Sequence, residues 1–216
     1  MIQIDIFSDT ICPWCLIGKR RLEAALKLRP ELPVRIRWRA FQLNPNMPAE
    51  GMERQAYLSL KFGGADNATM IYDRIRAAGA GDGIDFAFEA IQRTPNTLES
   101  HRLVRWATDA GRQTEVVEAL FQAYFFRGED IGARGVLVEA AVAAGLERGE
   151  SEQFLSGDGY RAEVSDEDRQ ARALGIDGVP CFIFNGRHAL AGAQPPKALA
   201  EMLDLAQQDV AAAPAE

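Results

Sequence analysis

Cysteine is scarce in this chain, with three in 216 residues. Three thiols cannot staple a fold of this size, and an odd number cannot pair completely within one chain, so a disulfide framework is excluded as the scaffold. Long apolar runs are missing too. None approaches the roughly 20 residues that a membrane span needs. Positive charge is in deficit, with 24 Lys and Arg against 31 Asp and Glu and a net charge of −7. That disfavours a general nucleic-acid binder, which needs a positive field toward phosphate. The opening residues Met1 to Phe7 carry no basic segment and no small-residue cleavage site, so they do not read as a secretory signal. Cytoplasmic residence is the expectation, in a compartment that keeps most thiols reduced. What is present is ordinary: 47% hydrophobic and 25% charged residues, the composition of a globular protein.

Ile2, Ile4 and Ile6 alternate with Gln3 and Asp5, a strand pattern. A loop follows, and then apolar positions at helical spacing from Leu16 to about Leu28, with Pro13 where a first helical turn tolerates it. Val34, Ile36 and Trp38 alternate with Arg35, Arg37 and Arg39 in a second strand. Its arginine row reads as a charged edge rather than a nucleic-acid patch. The chain then turns helical. Candidate helices lie near 54–62, 67–78, 98–110, 114–126, 133–144 and 160–174, separated by Gly and Pro breaks. Residues 179–184 and 188–191 read as a hairpin around Asn185-Gly186, and Lys197 to about Gln207 as a last helix. The pattern is βαβ, a helical block, then ββα. Neither end has enough strands alone for a stable sheet, so the ends share one sheet and the block is an insertion. The expected fold is therefore α/β, with residues 1–43 and 175–210 in one discontinuous domain, 44–174 an all-helical insertion and 211–216 a loose tail.

Cys12-Pro13-Trp14-Cys15 carries the most chemistry. A C-x-x-C beside a βαβ pattern is a redox-motif candidate. Cys12 falls where loop becomes helix, where unpaired N–H groups and the helix dipole favour an anion, so a nucleophilic thiolate is expected there. Cys15 lies about one turn on, placed to attack a mixed disulfide on Cys12 and resolve it. The rival is a zinc site. Its material would be Cys12, Cys15, Cys181, His101 and His188, with no second close pair, so no metal site is expected. Gly178-Val179-Pro180-Cys181 puts a proline at a strand entrance, where it removes a ladder donor. A cis Val179–Pro180 peptide would account for it.

The order strand, Cys12-Pro13-Trp14-Cys15, helix, helical insertion and Gly178-Val179-Pro180 resembles the DsbA-like branch of the thioredoxin superfamily. Ser8-Asp9, Ile17-Gly18-Lys19-Arg20-Arg21-Leu22, Phe41-Gln42-Leu43-Asn44-Pro45, Pro95-Asn96-Thr97 with His101-Arg102-Leu103, and Gly192-Ala193-Gln194-Pro195 are similar to the FrnE-like group within it. The kappa-class glutathione transferases and 2-hydroxychromene-2-carboxylate isomerases share the layout but carry serine at the Cys12 position. The resemblance implies a thioredoxin-like fold with a helical insertion, and a thiol–disulfide oxidoreductase or isomerase in which Cys12 attacks and Cys15 resolves. It implies that Pro180 is cis and faces the active-site helix, with the Val179 backbone pairing with substrate. Pro13 and Trp14 join Val179 and Pro180 as expected substrate contacts. No metal or organic cofactor is needed, glutathione being admissible as a thiol co-substrate. The expected partner is a disulfide- or thiol-bearing protein or small molecule, with no nucleic acid and no membrane; oligomeric state stays open, a dimer included. Alternatives are a glutathione-dependent isomerase or transferase and a redox-linked chaperone.

Three accessory residues remain. Cys181 is expected to point away from the face that Pro180 presents, as a buried inert thiol, with a third redox cysteine as the alternative. Asp9 is read as a loop hydrogen-bonding residue or a proton carrier. His101 sits near a helix start with Thr97 as N-cap, or else overhangs the active site. His188 is read as exposed, and Lys19, Arg20 and Arg21 as a solvated helix face. Phe121, Tyr124, Phe125 and Phe126 are read as helix core first and as a hydrophobic substrate groove second.

Overall fold

The computed structural model describes residues 1–212. Strand β1 (Ile2–Ser8) runs into helix α1 (Pro13–Lys27), and β2 (Val34–Ala40) returns parallel to β1, pairing Ile4 with Ile36 and Ile6 with Trp38. The chain then leaves the sheet through a two-residue strand β3 (Met52–Glu53), α2 (Arg54–Phe62), α3 (Ala65–Gly81), β4 (Arg93–Thr94), α4 (Leu98–Trp106), α5 (Gln113–Phe121), α6 (Arg134–Ala143), α7 (Arg148–Ser156) and α8 (Arg161–Ala173). It comes back as the hairpin β5 (Cys181–Phe184) and β6 (His188–Ala191) and ends in α9 (Pro196–Ala212). β5 is antiparallel to β1, so the sheet order is β2-β1-β5-β6 and both ends of the chain build one sheet.

The alternation of the strands decides the layers. Ile2, Ile4, Ile6, Phe182 and Phe184 point to one face, where they pack with Leu16, Ile17 and Leu22 of α1 and Leu199 and Leu203 of α9. Phe7 and Cys181 point to the other face and meet Phe41 and Ala171 of α8. The insertion is fastened to the sheet by side chains that satisfy the edge of β2. Gln113 accepts from the Trp38 N–H at 2.8 Å and donates to its carbonyl at 2.9 Å; Glu167 accepts from the Ala40 N–H at 2.6 Å and Asp168 from that of Gln42 at 2.8 Å. This answers the edge-strand problem with polar side chains in place of a further strand. Two of the three arginines in the row are charge-neutralised, Arg37 on Asp5 and Arg39 on Glu167, each at 2.7 Å.

Several expectations are corrected. The strand β5 starts at Cys181, after Pro180, because a proline cannot donate to the ladder. Helix α9 runs to Ala212, so Ala211 and Ala212 are helical where a tail was expected; 213–216 lie outside the described residues. Helix α7 was not foreseen, because its stretch from Arg148 to Gln153 is polar. Its start is fixed by the Glu147 side chain accepting from the Glu150 N–H at 2.7 Å. The expected helix near 114–126 ends in a π-helical turn, Gln122–Phe126. Phe121, Tyr124 and Phe125 are fully buried core and Phe126 packs partly against them. Asn185 and Gly186 both have positive φ, 50° and 67°, as a tight hairpin turn demands.

Candidate active site

Cys12 occupies the N-cap of α1 in an extended conformation, with Pro13 at the first helical position. Pro13 sits there without cost because the N–H it lacks would have no intrahelical partner. The Cys12 N–H donates to the Asp9 carbonyl and the Cys15 N–H to the Cys12 carbonyl, both at 3.0 Å, so one tight turn sets the spacing of the two thiols. Both cysteines are free and buried, while Trp14 between them is exposed.

The opposite wall comes from the loop before β5. The Val179–Pro180 peptide is cis, and the Cys12 Sγ donates to the Val179 carbonyl at 3.6 Å. Pro180 lies against α1 at Gly18, where a Cβ would sit 2.8 Å from the Pro180 Cγ and 3.2 Å from the Phe182 Cζ. A glycine inside a helix costs about 1 kcal/mol relative to alanine. Here it lets the helix that carries the thiols approach the proline loop. The expectation that places Pro180 beside the active-site helix therefore coincides with the geometry, and Gly18 was the signal within the sequence that passed unread.

Behind the thiols the site is buried. Burial raises the Cys15 thiol pKa well above its ordinary value, and the hydrogen bond and charge of Cys12 add to this; Ser8 and the Asp9 backbone pull it down and lose. Asp9 is fully buried and accepts from the Leu43 N–H at 2.7 Å through Oδ2. Its Oδ1 faces His101 Nε2 at 3.4 Å, and neither atom has a hydrogen bond. The neighbouring Thr10 and Ser100 hydroxyls meet at 2.7 Å. His101 is buried, with its ring against the Asp9 carboxylate. Thr97 makes no side-chain cap; the Asn96 Oδ1 accepts from the Leu98 N–H at 2.9 Å instead.

Cys181 stands on the other sheet face, among Phe7, Phe41 and Ala171, with its thiol pKa raised by burial. The structure does not bring it to Cys12 and Cys15. Among the described residues no three His, Cys, Asp or Glu side chains gather as metal ligands. The helix face after the thiols is not solvated as expected. Lys19 is 5% exposed and pairs with Glu118 at 2.6 Å, Arg20 pairs with the same carboxylate, and Arg21 with Asp82. Their tertiary carboxylates are invisible in local sequence. His188 is half-buried and meets Asp209 at 2.8 Å. A cleft of about 400 Å³ is lined among others by Leu43, whose N–H Asp9 holds, and by Asn44, Met47, Met52, Tyr57 and Leu60.

A model of the DSBA-like thioredoxin domain matches residues 3–204. The chain belongs to this family. It has the thioredoxin-like fold with a helical insertion. Among solved structures it is similar to a probable DsbA oxidoreductase from Streptomyces coelicolor, 29% identical with a TM-score of 0.87, covering 100% of this chain and 93% of that one. The cytosolic disulfide reductase DsbM of Pseudomonas aeruginosa, solved with GSH, is 21% identical at a TM-score of 0.67, covering 95% and 99% of the two chains. A 2-hydroxychromene-2-carboxylate isomerase is 15% identical at 0.69, covering 98% and 100%. The last two likenesses concern the fold. The family match and the 29% identical structure support a redox or isomerase role for this DsbA-like chain. No helix among the described residues is long and apolar enough to cross a membrane.

Proposed function

We propose that the protein is a thiol–disulfide oxidoreductase or isomerase that works through the Cys12–Cys15 dithiol. The observation that carries this reading is the placement of both thiols in the first turn of α1, with the Cys12 sulfur against the Val179 carbonyl. In the reductive direction the Cys12 thiolate attacks one sulfur of a substrate disulfide. That S–S bond breaks, a Cys12–substrate disulfide forms, and the displaced substrate sulfur takes up a proton. Cys15 then loses its proton and attacks the Cys12 sulfur, which releases the second substrate thiol and leaves a Cys12–Cys15 disulfide. Two electrons pass from dithiol to substrate, and a low-molecular-weight thiol such as glutathione would return the pair to its reduced form. The chemistry calls for no metal or organic cofactor.

In this reading Pro13 and the exposed Trp14 present the nucleophile, and Val179 and Pro180 orient the substrate strand. Asp9 is a positioning residue: its carbonyl holds the Cys12 N–H and its carboxylate holds the Leu43 N–H, with His101 packed behind it. Cys181 takes no part. The partner is a disulfide- or thiol-bearing protein or small molecule, and the setting is the cytoplasm, in keeping with the cytosolic relative. A glutathione-dependent transferase or isomerase is less well supported, because Cys15 would divert a glutathione adduct on Cys12 into an internal disulfide.

The test is a redox titration against glutathione buffers, run beside insulin reduction and the refolding of scrambled ribonuclease. The expected outcome is a two-electron transition and turnover in at least one assay. Inactivity in both, with Cys12 and Cys15 intact, sinks the proposal.

A further inference from the structure

Among the described residues the buried cations are matched with acids, save one. Lys19 has Glu118, and the fully buried Arg102 has Glu99. Arg54, at the start of α2, is only 6% exposed, yet among the described residues no carboxylate lies within salt-bridge reach of it. Its partners are neutral oxygens: Thr94 at 2.9 Å, Tyr124 at 3.2 Å and the Tyr72 hydroxyl. The rings of Tyr57 and Tyr72 flank the guanidinium at 5.7 and 5.3 Å. Hydroxyls and π faces soften the burial of a charge but leave it uncompensated. A guanidinium is the side chain best shaped to take a carboxylate.

Arg54 also lines a cavity of about 240 Å³, shared with Gln55, Tyr72 and Arg76. Glu89 lines it as well, held by Arg76 at the rim. The cavity is tied to the redox site through a short chain of contacts. Tyr57, beneath Arg54, is hydrogen-bonded to Asn44 at 3.2 Å; the next residue back, Leu43, is held by Asp9, and Asp9 holds Cys12. In a chain of net charge −7 this is a local positive seat on an otherwise acidic molecule.

We propose that the cavity over Arg54 seats the carboxylate of an acidic residue flanking the substrate's disulfide, so that the enzyme selects acidic peptide disulfides. This rests on the oxidoreductase reading and adds the substrate class to it. Arg54 binds the carboxylate, and Arg76, paired with Glu89 and Asp73, keeps the acid at the mouth neutralised. The ion pair forms away from the sulfurs and leaves the exchange chemistry as written above.

The experiment compares kcat/KM for two matched peptides with one internal disulfide, one carrying Glu and the other Gln beside each cysteine. Wild type is expected to favour the Glu peptide by about tenfold at low ionic strength, the worth of one charge-assisted contact. The Glu-to-Gln ratio falls toward one in Arg54→Gln. It falls part of the way in Arg76→Gln, whose partly exposed position keeps the test open if the buried variant fails to fold. In wild type, added inorganic phosphate suppresses turnover of the Glu peptide more than that of the Gln peptide. A wild-type ratio of one with both peptides turned over overturns the inference and leaves the oxidoreductase reading standing. A ratio that survives in a folded Arg54→Gln also overturns it. Turnover of neither peptide sinks the oxidoreductase reading and the inference with it.

Discussion

At the scale of single residues, the two thiols of the motif differ in what surrounds them. Cys12 has the loop before β5 against its sulfur; Cys15 is enclosed by burial, Cys12, Ser8 and the Asp9 backbone. Cys12→Ser is expected to abolish exchange. Cys15→Ser is expected to accumulate mixed disulfides on Cys12, visible as adducts by intact-protein mass spectrometry. Absence of adducts with a reactive Cys12 would show that Cys15 does not resolve. The raised pKa of Cys15 has a consequence for stability. A thiol that ionises later in the folded state than in the unfolded state stabilises the fold fully below the ordinary thiol range. That contribution is lost as pH rises from the ordinary value through the folded one. The reduced protein should therefore lose thermal stability in alkali, and Cys15→Ala should flatten that slope. Cys181 belongs to a different environment. Cys181→Ala should leave turnover in place and lower stability by about 1 kcal/mol, the cost of a small void beside Phe7 and Phe41. Loss of turnover would return Cys181 to the redox site. The motif was legible because its spacing is local. The place of Cys181 on the far sheet face followed from strand alternation. The Asp9–His101 juxtaposition was not legible, since the two lie in different elements.

At the scale of elements, α1 and the loop before β5 define the site, and Gly18 sets their distance. Gly18→Ala puts a methyl 2.8 Å from the Pro180 Cγ, closer than packed carbons tolerate. The expected result is a loss of about 1–3 kcal/mol in denaturant melts, together with slower exchange. Full retention of both would mean that the loop yields without consequence to the thiols. The element boundaries show where sequence reading fails. The strand after Pro180 was placed two residues early, because Val179 and Pro180 continue an apolar run whose hydrogen bonding only the fold reveals. Helix α7 escaped notice because a cap at Glu147 and contacts on one side suffice to form it, without a regular apolar stripe. The pair β3 and β4 is two residues long in each strand, too short to show a period at all.

At the scale of the whole molecule, the insertion and the sheet are joined by buried polar contacts, and Glu118 of α5 is the most exacting of them. Burial pushes its carboxyl up, but hydrogen bonds from Arg20, Lys19 and Gln122 outweigh this and hold it down at about 2. A carboxylate with a depressed folded pKa stabilises the fold above its ordinary range, and the contribution is lost as pH falls toward 2. Glu118→Gln should cost about 1–3 kcal/mol at neutral pH, because it takes the cross-element acid from the buried Lys19 and leaves it Glu23 of its own helix alone. The penalty should shrink as the wild type is acidified through that window. A pH-independent penalty would argue that Glu118 acts by shape alone.

The sequence by itself determined the architecture's outline and the chemistry. Alternation of two residues in the strands and of 3.6 in the helices is local, and so are the Cys-Pro-Trp-Cys spacing and the Asn185-Gly186 turn, and the connectivity of strands left one way to close the sheet. Only the tertiary structure decided which charges are neutralised and by whom. Lys19 looked solvated until Glu118 came across from α5, and nothing local to Arg54 marks that α2 and α3 fold it among tyrosines, with no acid in salt-bridge reach among the described residues. The reason is physical: periodicity is written within a segment, but the partner of a buried charge is chosen by which distant segments pack together.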